Sequence, residues 1–180
     1  MKALEEIGIK KGIKYVFTTI AVCILKLMIF SPCRIFFLRL LGVKIGKHCV
    51  INSIKFFNCY RRGFRGLNIG NECFLGEDIM IDLANEVHIG DKVSIGARVM
   101  IMTHINVGYK DHPLQKFFPC SSKPVIIKSG SFIGVNSTIL SGVEIGECAF
   151  IGACSMISKN VESYTMVAGI PAKTIRTLSD

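Results

Sequence analysis

The sequence predicts an all-β fold, a parallel β-helix built from six-residue units, and three observations carry the prediction. An aliphatic residue returns every sixth position: Ile69, Leu75 and Ile81; Ile89, Ile95 and Ile101; then Ile127, Ile133, Ile139, Ile145, Ile151 and Ile157. Glycine repeatedly follows it, as in Ile69-Gly70, Leu75-Gly76, Ile95-Gly96, Ile133-Gly134 and Ile151-Gly152. A small or branched residue stands four places on, for example Cys73, Val93, Ser131, Ser137 and Ala149. Six is a poor multiple of 3.6, so no helix keeps these residues on one face. A short strand followed by a sharp turn does. Such a unit cannot bury its apolar side alone and must stack on copies of itself.

Size and composition agree with one domain. The chain has 180 residues, half of them hydrophobic and only 19% charged, which excludes a disordered protein. Lysine and arginine number 22 against 13 aspartates and glutamates, a formal charge of +9 that fits an anionic partner. Aromatics interleave with basic residues only between Phe56 and Arg65, too little for a nucleic-acid module, and no nucleic-acid partner is expected. The eight cysteines form no CxxC pair and no zinc-like cluster with histidine, so reduced thiols and no metal are expected.

Along the chain three regions separate. Residues 1–42 carry no repeat and read as helical. Their apolar run, 13–30, is interrupted by Lys14 and Lys26 and bordered by Lys10, Lys11, Arg34 and Arg39, which weighs against a spanning helix. Two readings stay open: peripheral contact with a membrane interface, or a cap on the first coil. Residues 43–170 hold the hexads. Ile51 and Ile69 stand three hexads apart with Phe57 and Gly63 in the intermediate register, so three hexads make one triangular coil. Ile127 stacks against Ile145, and Ile133 against Ile151. The stretch from Ile81 to Ile89 is longer than a hexad and reads as a corner bulge. Between Ile101 and Ile127 the register is lost, and residues 102–126 are expected to leave the prism as a loop rich in Gly108, Pro113, Pro119 and Pro124. Residues 171–180 read as a short polar tail.

The hexads, the histidine-bearing insert and the closing Val167-Ala168-Gly169-Ile170-Pro171-Ala172-Lys173 together resemble the hexapeptide-repeat acyltransferases, and within them the sugar O-acetyltransferases. The resemblance implies a left-handed coil, against the general right-handed rule for parallel crossovers. It also implies a homotrimer and acetyl-CoA as donor. A sugar hydroxyl needs a positioned base before it attacks a thioester, and histidine suits that task near neutral pH. The position that opens the insert in relatives is His104 here. His112 is a second candidate deeper in the loop, whereas His48 and His88 fall at repeat positions where structural roles are expected. Carried over from the family, the donor contacts map to Val135, Ala153, Ser158, Lys159, Lys173 and Arg176, with the first two made by main chain. Phe132 is expected to shape the acceptor pocket. An asparagine that helps bind ligands in galactoside acetyltransferase would fall at Gly76, so that contact is absent. Asp82 lies near the base of the insert and is grouped with the pocket without a role.

The expected function is transfer of an acetyl group to a sugar hydroxyl of a bacterial surface polysaccharide or its precursor, in the cytoplasm or at the inner face of the cytoplasmic membrane. A small soluble acceptor (a free sugar, an antibiotic or an amino sugar) and a non-catalytic scaffold are the alternatives. A zinc carbonic anhydrase would need three converging histidines, and the interval between His88 and His104 is not one whole coil. A Cys120 nucleophile would lack a histidine close in sequence.

Overall fold

The computed structural model describes residues 9–178. Residues 1–8 of the expected N-terminal segment and 179–180 of the tail lie outside the described residues. Two helices come first, α1 (Ile9–Leu27) and α2 (Ser31–Leu40). The first coil contains β1 (Lys44–Ile45), β2 (Val50–Ile51) and β3 (Ile54–Phe57), followed by the short helix α3 (Cys59–Arg62) and a 3-10 turn. The second has β4 (Leu67–Ile69), β5 (Phe74–Leu75) and β6 (Ile79–Asp82), and the third has β7 (Val87–Ile89), β8 (Ser94–Ile95) and β9 (Met100–Ile101). A loop with β10 (His104–Ile105) and β11 (Ser121–Ser122) intervenes. Then come β12 (Val125–Ile127), β13 (Phe132–Ile133) and β14 (Thr138–Ile139), and next β15 (Glu144–Ile145), β16 (Phe150–Ile151) and β17 (Met156–Ile157). The chain closes with β18 (Thr165–Gly169) and β19 (Ala172–Thr177).

Three sheets, parallel except for the terminal β19, form the faces of a prism. The first runs β1-β4-β7-β12-β15, the second β2-β5-β8-β13-β16-β18-β19, and the third β3-β6-β9-β14-β17. The aliphatic residue of each strand points inward, so Leu75, Ile81, Ile95, Ile101, Ile133 and Ile139 are fully buried in one continuous core. Glycines after them let coils approach: a Cβ on Gly134 would lie 2.5 Å from the Ala153 backbone nitrogen. In the last two coils the three-hexad register holds, with Ile127 opposite Ile145, Ile133 opposite Ile151 and Ile139 opposite Ile157.

The first coil departs from the expected register. Ile45, not Ile51, stacks on Ile69, and Ile51 stacks on Leu75, so this coil is four hexads long instead of three. Phe56 rather than Phe57 faces Ile81, and Gly63 sits at φ +79 after α3, outside the prism. The extra length is taken up by residues 58–66, which leave the prism as α3 and the 3-10 turn before β4 resumes the stack. The expected excess between Ile81 and Ile89 is present as the corner at residues 83–86. The ejected loop is shorter than 102–126, because Val125 is already buried in β12 against Val87. The tail is also more ordered than its polarity indicates. Residues 172–177 pair antiparallel with β18, which covers an edge that would otherwise present unpaired backbone groups.

At the other end α2 caps the first coil. Leu38 is fully buried, the Ser31 hydroxyl accepts the Ile51 amide at 2.9 Å, and buried Arg34 donates to the Ile51 carbonyl at 2.7 Å. Helix α1 packs Thr18, Ala21 and Leu25 toward α3 and β3. No helix among the described residues is long and apolar enough to cross a membrane.

Candidate active site

The corner between β6 and β7 places Asp82 at the end of a buried strand with no solvent exposure. Ile81 lies one coil from Ile101, so the residue after Ile81 comes beside the start of the loop. Two hydrogen bonds reach Oδ1 of Asp82, from Asn58 Nδ2 at 2.8 Å and from the Ala84 amide at 3.0 Å. Oδ2 accepts the Thr103 amide at 2.9 Å, lies 3.0 Å from the Thr103 hydroxyl, and is hydrogen-bonded to His104 Nδ1. Thr103 is fixed in turn, its hydroxyl accepting the Asn85 amide at 2.9 Å. Burial pushes the Asp82 carboxyl up, but the donors from Asn58, His104, Thr103 and Ala84 outweigh it and hold the group below the usual carboxylate range. Asp82 is therefore a buried anion with both oxygens engaged.

His104 sits in β10, which pairs antiparallel with β11 through His104 opposite Ser122. The Lys123 amide donates to the Thr103 carbonyl at 2.9 Å and ties off the loop base. With Nδ1 directed at the Asp82 carboxylate, the neutral ring carries its proton there and Nε2 is left as an acceptor, in a side chain that is 16% accessible. Burial excludes direct contact between Asp82 and an acceptor, so its grouping with the pocket is corrected: it orients His104. His112 does not join this network. Its Nδ1 accepts the Leu114 amide at 3.2 Å as the cap of the Pro113–Lys116 turn, and its ring lies on the exposed loop.

The remaining site residues distribute along two edges of the prism. The Met102 amide donates to the Ile139 carbonyl and the Leu140 amide to the Ile157 carbonyl, so Met102, Leu140 and Ser158 form a column on the edge where His104 emerges. Ser158 and Lys159 therefore lie two coils from that edge's loop base, about 10 Å along the axis. They line a cavity of about 300 Å³ with Asn160 and Lys173, which β19 brings back to them. Val135 and Ala153 stack on the preceding edge, both exposed, each after its glycine, with the Val135 carbonyl accepting the Cys154 amide at 2.8 Å. Arg176 is further along β19, opposite Met166, and does not line the Lys173 cavity. Phe132 belongs to the second face, where its ring stacks on Phe150 at 4.8 Å. His88 is held between Asn68 (3.3 Å) and Glu86 (3.0 Å) on the first face, apart from His104.

Sequence reasoning missed Asn58 and Thr103, and left Asp82 without a partner. Counting coils would have found Asp82, since the residue after Ile81 must neighbour residues 102–103. Asn58 carried no such signal, because the register through the first coil was shifted.

With this geometry in view, comparison with known proteins places the chain. Residues 124–159 match the family described as bacterial transferase hexapeptide (six repeats). Over 144 residues the chain is 30% identical to the putative colanic acid biosynthesis acetyltransferase WcaF of Escherichia coli, covering 79% of this chain and 74% of that protein. The chain belongs to the hexapeptide-repeat acyltransferases. It is also 35% identical over 113 residues to the serine acetyltransferase of Buchnera aphidicola, but these span 63% of this chain and only 39% of that longer protein. Among solved structures, a hexapeptide-repeat acetyltransferase from Vibrio cholerae superposes with a TM-score of 0.83 over 96% of this chain and 95% of its own, at 21% identity. The same Vibrio cholerae protein complexed with acetyl coenzyme A gives 0.67 over 89% and 86% at 24% identity. These structural matches establish the fold. A superposition of this extent requires the same sense of winding, the left-handed one that the family implies.

Proposed function

We propose that the protein is a cytoplasmic O-acetyltransferase that moves an acetyl group from acetyl-CoA to a sugar hydroxyl, with a surface polysaccharide or its precursor as acceptor. The observation that carries the reading is the buried Asp82 carboxylate fixing His104 at the mouth of the loop, on the edge that also bears Ser158 and Lys159. In this reaction His104 Nε2 takes the hydroxyl proton as the sugar oxygen attacks the thioester carbonyl. The imidazolium is stabilised by Asp82, and the tetrahedral intermediate collapses with loss of the coenzyme A thiolate. His104 then returns the proton to that sulfur, leaving acetylated sugar, free thiol and neutral histidine. Lys159 and Lys173 suit the donor's phosphates, and Val135 and Ala153, exposed on the neighbouring edge, suit contact with its amide-bearing arm.

The names of the relatives support acetyl as the group transferred, and the colanic acid protein supports a polysaccharide-linked acceptor. A homotrimer is part of the proposal. The exposed column of Phe74, Phe132 and Phe150 on the second face, and Phe117 and Phe118 on the ejected loop, support burial against neighbouring copies. The test is release of coenzyme A thiol with glycan intermediates and with soluble sugars, wild type beside His104→Ala. Loss of general-base catalysis is expected to lower kcat by about 10³-fold, and undiminished turnover by the variant would remove the assignment.

A further inference from the structure

Positive charge is unevenly spread along this chain. Residues 7–71 contain twelve lysines and arginines and no aspartate or glutamate, so the whole excess resides in the helices and the first coil. The same region carries a large uncovered apolar surface. On α1, Ile13, Val16, Phe17, Ile20, Ile24 and Leu27 are all exposed, Phe17 by 62%. Their spacing of three and four places them within one arc of about 100° on the helix. Thr18, Ala21 and Leu25, which pack on the prism, occupy the neighbouring arc. Helix α1 thus has two apolar sides, one buried and one bare. Ile29 and Phe30 extend the bare side into the link to α2. Every charge on α1 is positive. Exposed Lys11 and Lys26 stand near its two ends and make no ion pair among the described residues.

We propose that this bare face of α1 docks onto an anionic lipid bilayer, with the helix lying in the interface. An apolar stripe on a helix whose charges are all cationic complements lipid tails beneath anionic headgroups, and a helix too polar to span can still rest there. The sequence posed capping and membrane contact as alternatives, but separate surfaces serve them: α2 closes the coil, and α1 turns its second side outward. The docked helix is connected to the site. Tyr15, Val22 and Lys26 of α1 line a groove of about 340 Å³ together with Phe56, Asn58 and Tyr60, and Asn58 donates to Asp82. Resting on the proposed function only for the acceptor, the inference makes that acceptor a sugar attached to the membrane.

The full chain is sedimented with vesicles of phosphatidylglycerol and phosphatidylcholine, and with phosphatidylcholine alone. Binding to the anionic vesicles only is expected, salt-sensitive, weakened roughly tenfold or more by the Lys11→Gln/Lys26→Gln pair and lost in Phe17→Glu/Ile20→Glu. The lysine pair is exposed, so it stays informative if the acidic pair fails to fold. No binding, equal recovery with both vesicle types, or wild-type binding by the lysine pair would overturn the inference. So would a fall in the mass of the wild-type assembly caused by Phe17→Glu/Ile20→Glu, which would assign the face to a second copy. Binding is read without turnover: its failure with thiol release intact sinks the docking alone, and the converse sinks the proposed function alone.

Discussion

The two halves of the prism are built from the same six-residue unit and put to different uses. From Ile127 to Ile157 the coils repeat every three hexads without interruption, each inward isoleucine directly on the one before. From Ile45 to Ile101 no coil keeps that length: the first takes a fourth hexad, the second lengthens at its corner, and the third is broken by the loop. Each departure contributes to one place. The four-hexad coil supplies Asn58, the longer corner supplies Asp82 and Ala84, and the broken coil supplies Thr103 and His104. Regular stacking provides the rigid frame, and the hydrogen bonds that hold His104 come from the points where stacking is interrupted.

That division can be broken by substitutions on either side. The largest effect beyond His104 is expected from Asp82→Asn, which leaves an amide against Nδ1 and favours the wrong tautomer. Steady-state kinetics should show kcat lower by about 10² to 10⁴-fold with little change in donor KM. Asn58→Ala removes one donor from the buried carboxylate, and about a tenfold loss of kcat is expected with an altered pH–rate profile. A purely structural role would leave that profile unmoved. In the regular half the outcome should reverse. Gly146→Ala forces a Cβ against the Ser163 backbone, and a loss of about 1–3 kcal/mol in denaturant unfolding is expected while turnover by the folded fraction persists.

The smallest effect concerns pH. Asp82 holds its proton less tightly folded than unfolded, so its contribution to stability is present above the unfolded value of about 4 and fades as pH falls through the folded one. Unfolding measured at successive pH values below about 4 should show this acid loss in the wild type and less of it in Asp82→Asn.

The sequence was most legible where the structure is most regular. Hexads spell out the inward positions of the last coils because nothing competes with their period. His104 was legible as well, because the break in register drew attention to what opens the insert. Asp82 was visible but unpartnered: a lone aspartate has no periodic signature, and its histidine stands 22 positions on. Through the first coil the period misled. Ile51 and Ile69 stand three hexads apart by coincidence, while α3 consumes the residues that would have formed the third side. The order of residues 172–177 was hidden for a different reason, since a strand at the end of a sheet is polar on its outer side.

The uniform rise of the final coils turns the molecule into a ruler. His104 leaves at one graduation and Lys159 stands two further on, so the reach between imidazole and ammonium is fixed by how many windings intervene, not by any hinge. Splicing one more winding between them would lengthen that reach by about 4.8 Å, and under the proposed function a donor of unaltered length held at Lys159 would then present its reactive end away from His104.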